Sequence, residues 1–339
     1  MPINKALTFR ASSIGDCLMG KYLLENIHRQ YPDARLGIVV ASRGAMIRDL
    51  FAAYPWLEIL EASRRRPSSL VSLWKRYHGS DLVVTQYAGK KGGKFALASK
   101  IAARVLCKRG GLVGFEDSFR FNNLVYHRLI PFRLDVSITG HERTALKSIG
   151  LPVSIPFPKL EIVRDDSIVS KYHLEKNAYV VVHLFAGNKS RGLSPDKKRA
   201  LIESLVEQFP GLPLLVTGGP DDREEALRVA EGTSAIVCAG ETNLQETMNL
   251  ISESRGVVSV DTGIAHIAAQ LGKPLVVLRS CLAPNWWFEE QYGKSSQIAV
   301  FSCDSVCAEG HIAQSSGYPK CLDSIDMEEV AQNAKKMLT

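Results

Sequence analysis

Residues 257–278 read Val257-Val-Ser-Val-Asp-Thr-Gly-Ile-Ala-His-Ile-Ala-Ala-Gln-Leu-Gly-Lys-Pro-Leu-Val-Val-Leu278, and this stretch decides the fold. The apolar run that ends at Asp261 predicts a buried strand, and the Ile- and Ala-rich segment as far as Gly272 predicts a short helix. The run after Pro274 predicts a second buried strand parallel to the first. A strand, a tight turn, a helix and a strand in this order are typical of an α/β sheet.

The turn inside this stretch has the residues of an anion site. Asp261 and Thr262 are good helix-cap residues, and Gly263 lets a ligand approach the backbone closely. A helix start carries unpaired N–H groups and a partial positive charge, which favour a phosphate. His266 lies one turn further on. The alternative is a capped helix without a ligand, in which His266 is a hydrogen-bonded core residue.

Length and composition indicate a globular protein of about two domains. The chain has 339 residues, 45% of them hydrophobic and 23% charged. It contains no apolar run near the ~20 residues of a membrane span, and its N-terminal sequence lacks a signal-peptide core. Seven cysteines, an odd number, favour reduced thiols. We therefore expect a cytoplasmic protein.

Positive charge is concentrated in one part of the chain. Between Arg64 and Arg109 there are twelve Lys or Arg residues and one acid, Asp81, so this segment carries +11 and the remainder −4. Such a bias indicates an anionic partner for the first half: a phosphorylated glycan, a membrane surface or nucleic acid. The alternative is a basic surface that only aids solubility.

Strands and helices alternate along the whole chain. In the first half, strands at 5–10, 35–40, 58–61, 81–85 and 111–114 are separated by helices such as 17–30 and 94–107. In the second half, strands at 179–183, 213–217 and 235–238 precede the opening stretch, with helices at 195–208, 222–231 and 244–254. The alternation predicts parallel, doubly wound sheets.

Three prolines within residues 151–158 mark the linker between two domains. We expect an α/β protein with a Rossmann-like domain at 1–160, a second at 161–322, and a C-terminal helix at 323–339 that is a candidate to pack back on the first domain. Ligands of such sheets bind at the carboxyl ends of the strands. The ligand is therefore expected between the strand ends of the two sheets.

Two motifs, one in each half, resemble the bacterial lipopolysaccharide core heptosyltransferases, glycosyltransferase family 9. They are Ser12-Ser-Ile-Gly-Asp16 after the first strand, and Asp261-Thr-Gly-Ile-Ala-His266 with Lys273-Pro274. The resemblance extends from about residue 5 to residue 338. Further stretches that match the family are Gly111-Leu-Val-Gly-Phe115, His141-Glu-Arg143, and Lys189-Ser-Arg191 before Ser194-Pro195.

This resemblance implies a GT-B fold and an inverting transfer of heptose from ADP-heptose, without a metal or another cofactor. An inverting transfer needs one base that takes the proton of the acceptor hydroxyl. The resemblance assigns that role to Asp16. The alternative is that Ser13 and Asp16 form a capping box that only stabilises the helix start. Gly15 would let the acceptor approach the backbone.

The resemblance also implies the residues that hold each substrate. Lys189 and Arg191 are alternatives for the side chain that pairs with the diphosphate. An acid between Asp222 and Glu225 either contacts the nucleoside or complements the helix dipole. The candidate donor residues are Lys189, Arg191, Asp222, Thr242, Asp261, Thr262, Gly263 and His266. The candidate acceptor residues are Ser13, Gly15, Arg64, Arg65, Arg66, Lys94, Arg120 and His141. The arginines among them suit phosphate and carboxylate groups of the acceptor.

The implied acceptor is a lipid A–Kdo-type core, which would bring the enzyme to the inner leaflet of the inner membrane as a peripheral protein. No nucleic-acid partner is expected, and the oligomeric state stays open. Trp286-Trp287 is unusual for the family. These two residues either cover the sugar or base, or pack against the C-terminal helix.

A metal site and other function classes are weaker interpretations. Cys303, Cys307, His311 and Cys321 have the ligand types of a structural zinc site but not its usual spacing, and the alternative is buried free thiols. The chain lacks the G-x-G-x-x-G motif of a dehydrogenase, a P-loop and an Asp-x-Asp pair. Two alternatives stay open: a sugar-nucleotide epimerase of the same architecture, and a non-enzymatic protein that binds an anionic polymer.

Overall fold

The computed structural model describes residues 2–63, 66–86, 94–131, 133, 135–281, 287, 289–293, 297–302 and 317–339. The chain divides into two compact units. The first comprises Met1–Glu161 and Phe288–Gly293, and the second comprises Ile162–Trp287 and Lys294–Thr339. Among the described residues, no helix has both the length and the apolar character needed to cross a membrane.

The first unit is built on one parallel sheet. Its strands are β1 (Lys5–Phe9), β2 (Arg35–Val40), β3 (Leu57–Glu61), β4 (Leu82–Val84), β5 (Leu112–Phe115) and β6 (Arg128–Ile130), and they lie in the order β3-β2-β1-β4-β5-β6. Its helices are α1 (Ile14–Gln30), α2 (Gly44–Leu50), α3 (Pro67–Tyr77), α4 (Lys94–Leu106), α5 (Asn122–Val125), α6 (Ile138–Ser148) and α12 (Glu289–Tyr292).

The second unit repeats this plan. Its strands are β7 (Val180–His183), β8 (Leu214–Val216), β9 (Ile236–Val237), β10 (Gly256–Val260), β11 (Leu275–Leu278) and β12 (Ile298–Phe301), in the order β12-β11-β10-β7-β8-β9. Its α-helices are α7 (Ser167–Lys171), α8 (Pro195–Gln208), α9 (Arg223–Ala230), α10 (Leu244–Glu253), α11 (Gly263–Gln270), α13 (Lys320–Asp323) and α14 (Met327–Leu338).

Both sheets have the doubly wound strand order, so the predicted α/β fold class is confirmed. In that order the direction of winding reverses between β1 and β4 in one sheet, and between β7 and β10 in the other. Ligands of such sheets bind beyond the carboxyl ends of the strands at these reversal points. The turn after β10 therefore lies where a ligand is expected.

The opening stretch forms β10, α11 and β11, as its sequence predicts. β10 pairs in parallel with β7 on one side and β11 on the other, so it is a central strand. All five of its residues are buried. A central parallel strand is covered by helices on both faces, which explains why its sequence is apolar without alternation.

Two glycines of Gly111-Leu-Val-Gly-Phe115 are required by close packing. A Cβ at Gly111 would overlap the carbonyl oxygen of Asp81, and one at Gly114 would overlap the ring of Tyr126. The Tyr126 hydroxyl is held 2.9 Å from the Thr85 hydroxyl, so the ring is fixed in place. This stretch therefore has a structural role in positioning β5 against its neighbours.

The C-terminal helix packs on the second unit, which corrects the expectation that it packs back on the first domain. Ala331, Ala334 and Leu338 of α14 join the same buried cluster as Leu201 and Leu205 of α8. An apolar side on each helix explains the pairing. The returning segment is instead 288–293, where the buried Gln291 accepts from the Thr139 amide of α6 at 3.2 Å.

The predicted linker belongs to the first unit. The Tyr22 hydroxyl of α1 donates to the Ile155 carbonyl at 3.0 Å, and the Ile155 amide donates to Asn26 at 2.9 Å.

The cysteines depart from the expected reduced state at one position, because Cys281 is disulfide-bonded. Among the described thiols, Cys17, Cys107, Cys238 and Cys321 are free and buried.

Candidate active site

The start of α11 offers unused hydrogen-bonding groups. Thr262 is the N-cap residue, but its side chain makes no capping hydrogen bond. Its buried hydroxyl oxygen finds no partner within the described residues. Gly263 is the first helical residue, so backbone N–H groups of the first turn and the Thr262 hydroxyl can bind an anion here.

Asp261, His266 and Trp287 form one cluster beside this helix start. The Trp287 indole N–H donates to Asp261 Oδ1 at 3.0 Å, and its ring stacks on His266 with centroids 4.5 Å apart and planes 3° apart. His266 Nε2 lies 3.8 Å from the same Asp261 oxygen. The other oxygen of Asp261 is buried and has no hydrogen-bond partner among the described residues.

The Trp287 ring lies on His266 and its N–H binds Asp261, beside the start of α11, and a role in covering the sugar or base stays a prediction. Trp286 lies outside the described residues. Sequence reasoning missed the contact with Asp261 because the two residues are 26 positions apart. The sequence nevertheless contained a signal for this hydrogen bond, because the indole N–H of a tryptophan near a predicted anion site can act as a donor.

The candidate cations Lys189 and Arg191 lie after β7, in a short 3₁₀ helix, Lys189–Arg191. Both are exposed. The Lys189 ammonium lies 5.5 Å from the centre of the Tyr318 ring. The choice between the two therefore stays open.

Lys198 was missed by the sequence reasoning. It is buried on α8, pairs with Glu225 at 2.8 Å and lies over Phe185. Lys198 lies one turn before Leu201 and Ile202, on the apolar side of the helix. This spacing in the sequence indicates that the side chain is buried.

The predicted nucleoside contacts lie at the carboxyl ends of β8 and β9. Asp222 accepts from the Gly219 amide at 2.8 Å, which is the helix-start role that was its alternative. Thr242 lies 3.0 Å from the hydroxyl of Thr247. One carboxylate oxygen of Asp222 is thus engaged in the turn, and the contact with a nucleoside stays a prediction.

In the first unit, Asp16 lies in the first turn of α1 and is partly exposed. The Ser13 hydroxyl donates to Asp16 Oδ2 at 2.6 Å, and the Asp16 amide donates back to Ser13 at 3.3 Å. Gly15 is in the same turn. The capping interaction is therefore present, and it also fixes the direction of the carboxylate.

A buried ion pair lies behind this turn. Arg10 Nη1 is 2.7 Å from Glu142 Oε1, and the two side chains are 1% and 0% exposed. Burial raises the pKa of Glu142, and the Arg10 charge opposes that rise. The sequence does not predict this pair, because Arg10 follows β1 and Glu142 lies on α6, far away along the chain.

The candidate acceptor residues are only partly described. His141 is buried, with Nδ1 2.9 Å from the Ser137 carbonyl oxygen and its ring edge against Phe115, a placement that favours a structural role. Arg66 is exposed at the start of α3, and the exposed Arg120 lies over the Phe121 ring. Arg64, Arg65 and the Lys94 side chain lie outside the described residues.

The candidate metal ligands are not brought together by anything the structure describes. Cys321 is buried with its sulfur 3.6 Å from the Ser280 hydroxyl. Cys303, Cys307 and His311 lie outside the described residues. Elsewhere in the described chain, no group of three His, Cys, Asp or Glu side chains could hold a metal ion.

His183 at the end of β7 makes stability depend on pH. It is buried beside the Thr217 hydroxyl, at 3.1 Å, and burial lowers its pKa from 6.5 to about 4. The unfolded chain therefore binds a proton that the folded protein does not, so stability is full above ~pH 6.5 and falls as the pH decreases toward 4. We expect a loss of up to ~1.4 kcal/mol per pH unit across this window.

Urea unfolding of the wild type and of His183→Gln at pH 7, 6 and 5 checks this expectation. The wild type should lose stability more steeply than the variant, because a glutamine side chain cannot be protonated in this range. Equal slopes in the two proteins would contradict the assignment to His183.

Comparison with known proteins gives one family and one fold. Residues 102–286 match the model of glycosyltransferase family 9 (heptosyltransferase). Lipooligosaccharide heptosyltransferase 2 of Haemophilus influenzae is 42% identical over 293 residues, which cover 81% of this chain and 83% of that protein.

Two solved structures resemble this chain along its length. A family 9 glycosyl transferase from Veillonella parvula gives a TM-score of 0.73 at 16% identity and covers 100% of this chain and 98% of its own. Escherichia coli heptosyltransferase WaaC with ADP-2-deoxy-2-fluoro heptose gives 0.71 at 18% identity, over 98% of this chain and 99% of its own. At these identities the two structures bear on the fold alone.

Proposed function

We propose a specific function for this chain, which belongs to glycosyltransferase family 9, the heptosyltransferase family, and is a transferase enzyme with two Rossmann-like units of the GT-B class. From this premise we propose that it transfers heptose from ADP-heptose to the inner core of lipopolysaccharide, with inversion, and that Asp16 is the general base. The proposed acceptor is a lipid A–Kdo-type core.

The start of α11 is the observation that carries the proposal. Its N-cap hydroxyl is unused by the described part of the protein, its first residue is Gly263, and it follows a central strand at the winding reversal of its sheet. These features suit a diphosphate, whose growing negative charge would be stabilised as the nucleotide leaves. The relative that is 42% identical is a lipooligosaccharide heptosyltransferase, which favours heptose as the sugar.

Asp16 has the features that a base needs. Its carboxylate is partly exposed, and the Ser13 hydroxyl fixes its orientation. A proton can move from an acceptor hydroxyl to this carboxylate while the nucleoside diphosphate departs from the opposite face of the sugar. Capping of α1 and base catalysis use the same side chain and do not exclude each other.

Titration with ADP, UDP and GDP, followed by a transfer assay, tests the proposal. We expect ADP to bind most tightly, and ADP to be released from ADP-heptose only when the core acceptor is present. Addition of EDTA should leave the rate unchanged. Conversion of ADP-heptose to another sugar nucleotide without an acceptor would favour the epimerase alternative and overturn the proposal.

Trp287 should matter for use of the donor. Trp287→Phe keeps an aromatic ring on His266 but removes the N–H donor to Asp261, whose carboxylate is buried. The indole N–H fixes the Asp261 carboxylate beside the proposed diphosphate site, so we expect kcat/KM for the donor to fall roughly tenfold or more in this variant, with KM for the acceptor unchanged.

Trp56→Phe is the matched control, because Trp56 stacks on His28 in the first unit with centroids 4.4 Å apart. That variant should retain wild-type kinetics. Wild-type kcat/KM in Trp287→Phe would show that the indole N–H does not position Asp261.

We also propose that the enzyme is cytoplasmic and binds peripherally to the inner leaflet of the inner membrane. The support is the excess of Lys and Arg between residues 64 and 109. Basic segments are attracted to the anionic surface of that leaflet.

A further inference from the structure

We propose that the outer faces of α3 and α4 form a surface that docks on an anionic lipid bilayer. This surface, called here the α3–α4 face, consists of the apolar residues Leu70, Val71, Trp74, Leu97, Ile101 and Val105 and the basic residues Lys75, Arg76 and Arg104. The inference deepens the proposed function, on which it rests for the identity of the membrane.

Exposed apolar side chains are concentrated on these two helices. Of the eleven large apolar residues that are exposed in the described part of the chain, six belong to the α3–α4 face. Ile101 is 60% exposed, Val105 is 58% exposed and Trp74 is 49% exposed. Scattered exposed apolar residues need no explanation, whereas a concentration of them marks an interaction site.

The exposed residues of α4 are a second apolar stripe and not the edge of its core stripe. Ala103 and Leu106 point into the cluster under the helix. Leu97, Ile101 and Val105 follow one another at intervals of four residues, so they form a separate line along the outer side. An amphipathic helix on a water-exposed surface normally has polar residues there.

The two helices contribute to one surface. Leu73 and Tyr77 of α3 share a buried cluster with Ala103 and Leu106 of α4. Both helices therefore cover the same face of the first sheet, and their outer sides face away from it.

The charge of the face suits an anionic surface. Neither α3 nor α4 contains an acidic residue, and Lys75, Arg76 and Arg104 are exposed on them. Two acids lie nearby: Asp81 is 7% exposed and already pairs with Lys108 at 2.7 Å, and Glu58 lies 3.4 Å from Arg76. Lys75 and Arg104 add positive charge to the face beyond these pairs.

The combination of groups favours a bilayer over other partners. Lys and Arg stems can lie along apolar surface while their charges reach lipid headgroups, and Trp is favoured at the membrane interface. A second copy of the chain docking through the same face would bring two basic surfaces together, since a two-fold interface pairs each patch with itself. Nucleic acid would use the charge but leave the aliphatic stripe of α4 in water.

Flotation with lipid vesicles tests the proposal on the full-length protein. One set of vesicles contains phosphatidylcholine alone, and the other contains phosphatidylcholine with phosphatidylglycerol. We expect the wild type to float only with the second set, and less so at high salt, because salt screens the attraction. Ile101→Ser/Val105→Ser should lower the partition coefficient by roughly tenfold or more. Lys75→Gln/Arg104→Gln should lower it by a similar factor.

Matched controls lie on the second unit. Leu227→Ser removes an apolar side chain that is 49% exposed on α9, and Arg199→Gln/Arg228→Gln removes two exposed charges. Both should float like the wild type. All variants should keep wild-type turnover on a delipidated, water-soluble core acceptor, which separates membrane docking from catalysis.

Three results would overturn the proposal. The first is failure of the wild type to float with anionic vesicles. The second is flotation of the Ile101→Ser/Val105→Ser variant to the same extent as the wild type. The third is self-association of the wild type that this variant abolishes. The last result would assign the face to a second copy of the chain. Absence of transfer with normal flotation would count against the proposed function and not against the docking surface.

Discussion

Replacing Asp16 with alanine is expected to lower kcat by roughly 10²–10⁴-fold while leaving nucleotide affinity unchanged. The variant lacks the carboxylate that would take the acceptor proton, whereas the proposed diphosphate site belongs to the other unit of the chain. Single-turnover release of ADP from ADP-heptose with acceptor gives the rate. Calorimetric titration with ADP gives the affinity.

Ser13→Ala is the control that separates base catalysis from helix capping. It removes the hydroxyl that both caps α1 and binds Asp16, yet it keeps the carboxylate. Loss of a cap lowers stability by about 1 kcal/mol. We expect Ser13→Ala to share the stability loss of Asp16→Ala but to lose less turnover, because it keeps the carboxylate and removes only the hydroxyl that orients it. Wild-type turnover in Asp16→Ala, or an equal loss in both variants, would remove Asp16 as the base.

The second large effect concerns the buried ion pair. Glu142→Ala is expected to lower the free energy of unfolding by about 3–5 kcal/mol, because it leaves the Arg10 charge buried without its partner. The guanidinium cannot turn away easily, since it packs closely against Gly20 of α1. Urea unfolding monitored by circular dichroism measures the change.

Two comparisons identify the cause of that loss. Glu203→Ala breaks the exposed pair with Arg199 and should change stability by no more than about 0.5 kcal/mol. Arg10→Met/Glu142→Leu replaces both charges by apolar side chains and should recover most of the lost stability. If the double variant is as unstable as Glu142→Ala, the cause is packing and not an unpaired charge.

The sequence predicts the central strands of each sheet but only one of the two strands at its edges. Central strands such as β10 are covered on both faces and therefore have continuous apolar sequences. β6 and β12 were missed. Each lies at an edge of its sheet, is short and is only partly buried. β6 reads Arg-Leu-Ile and has too short an apolar run to indicate a strand. β12 reads Ile-Ala-Val-Phe, so the signal for this strand was present in the sequence. α1 begins three residues earlier than the predicted helix at 17–30, because Ser13 is its N-cap.

The candidate site is predictable where its residues are neighbours in sequence. Asp261, Thr262 and Gly263 form one turn, so local rules for helix starts identify them. The contacts of Trp287 with Asp261 and of Arg10 with Glu142 join distant segments. No periodicity in a single sequence reports such pairs, because each depends on how the sheet brings its connections together.

The return of residues 288–293 to the first unit has a practical consequence for dissecting the enzyme. A fragment that stops at Glu161 would contain every strand of the first sheet but lack Gln291, whose buried side chain accepts from the Thr139 amide. The Thr139 amide would then lose its partner, and the surface covered by α12 would open to solvent. The halves of this protein are therefore not separable by a single cut in the polypeptide, and a soluble N-terminal half would have to carry the later segment grafted onto it.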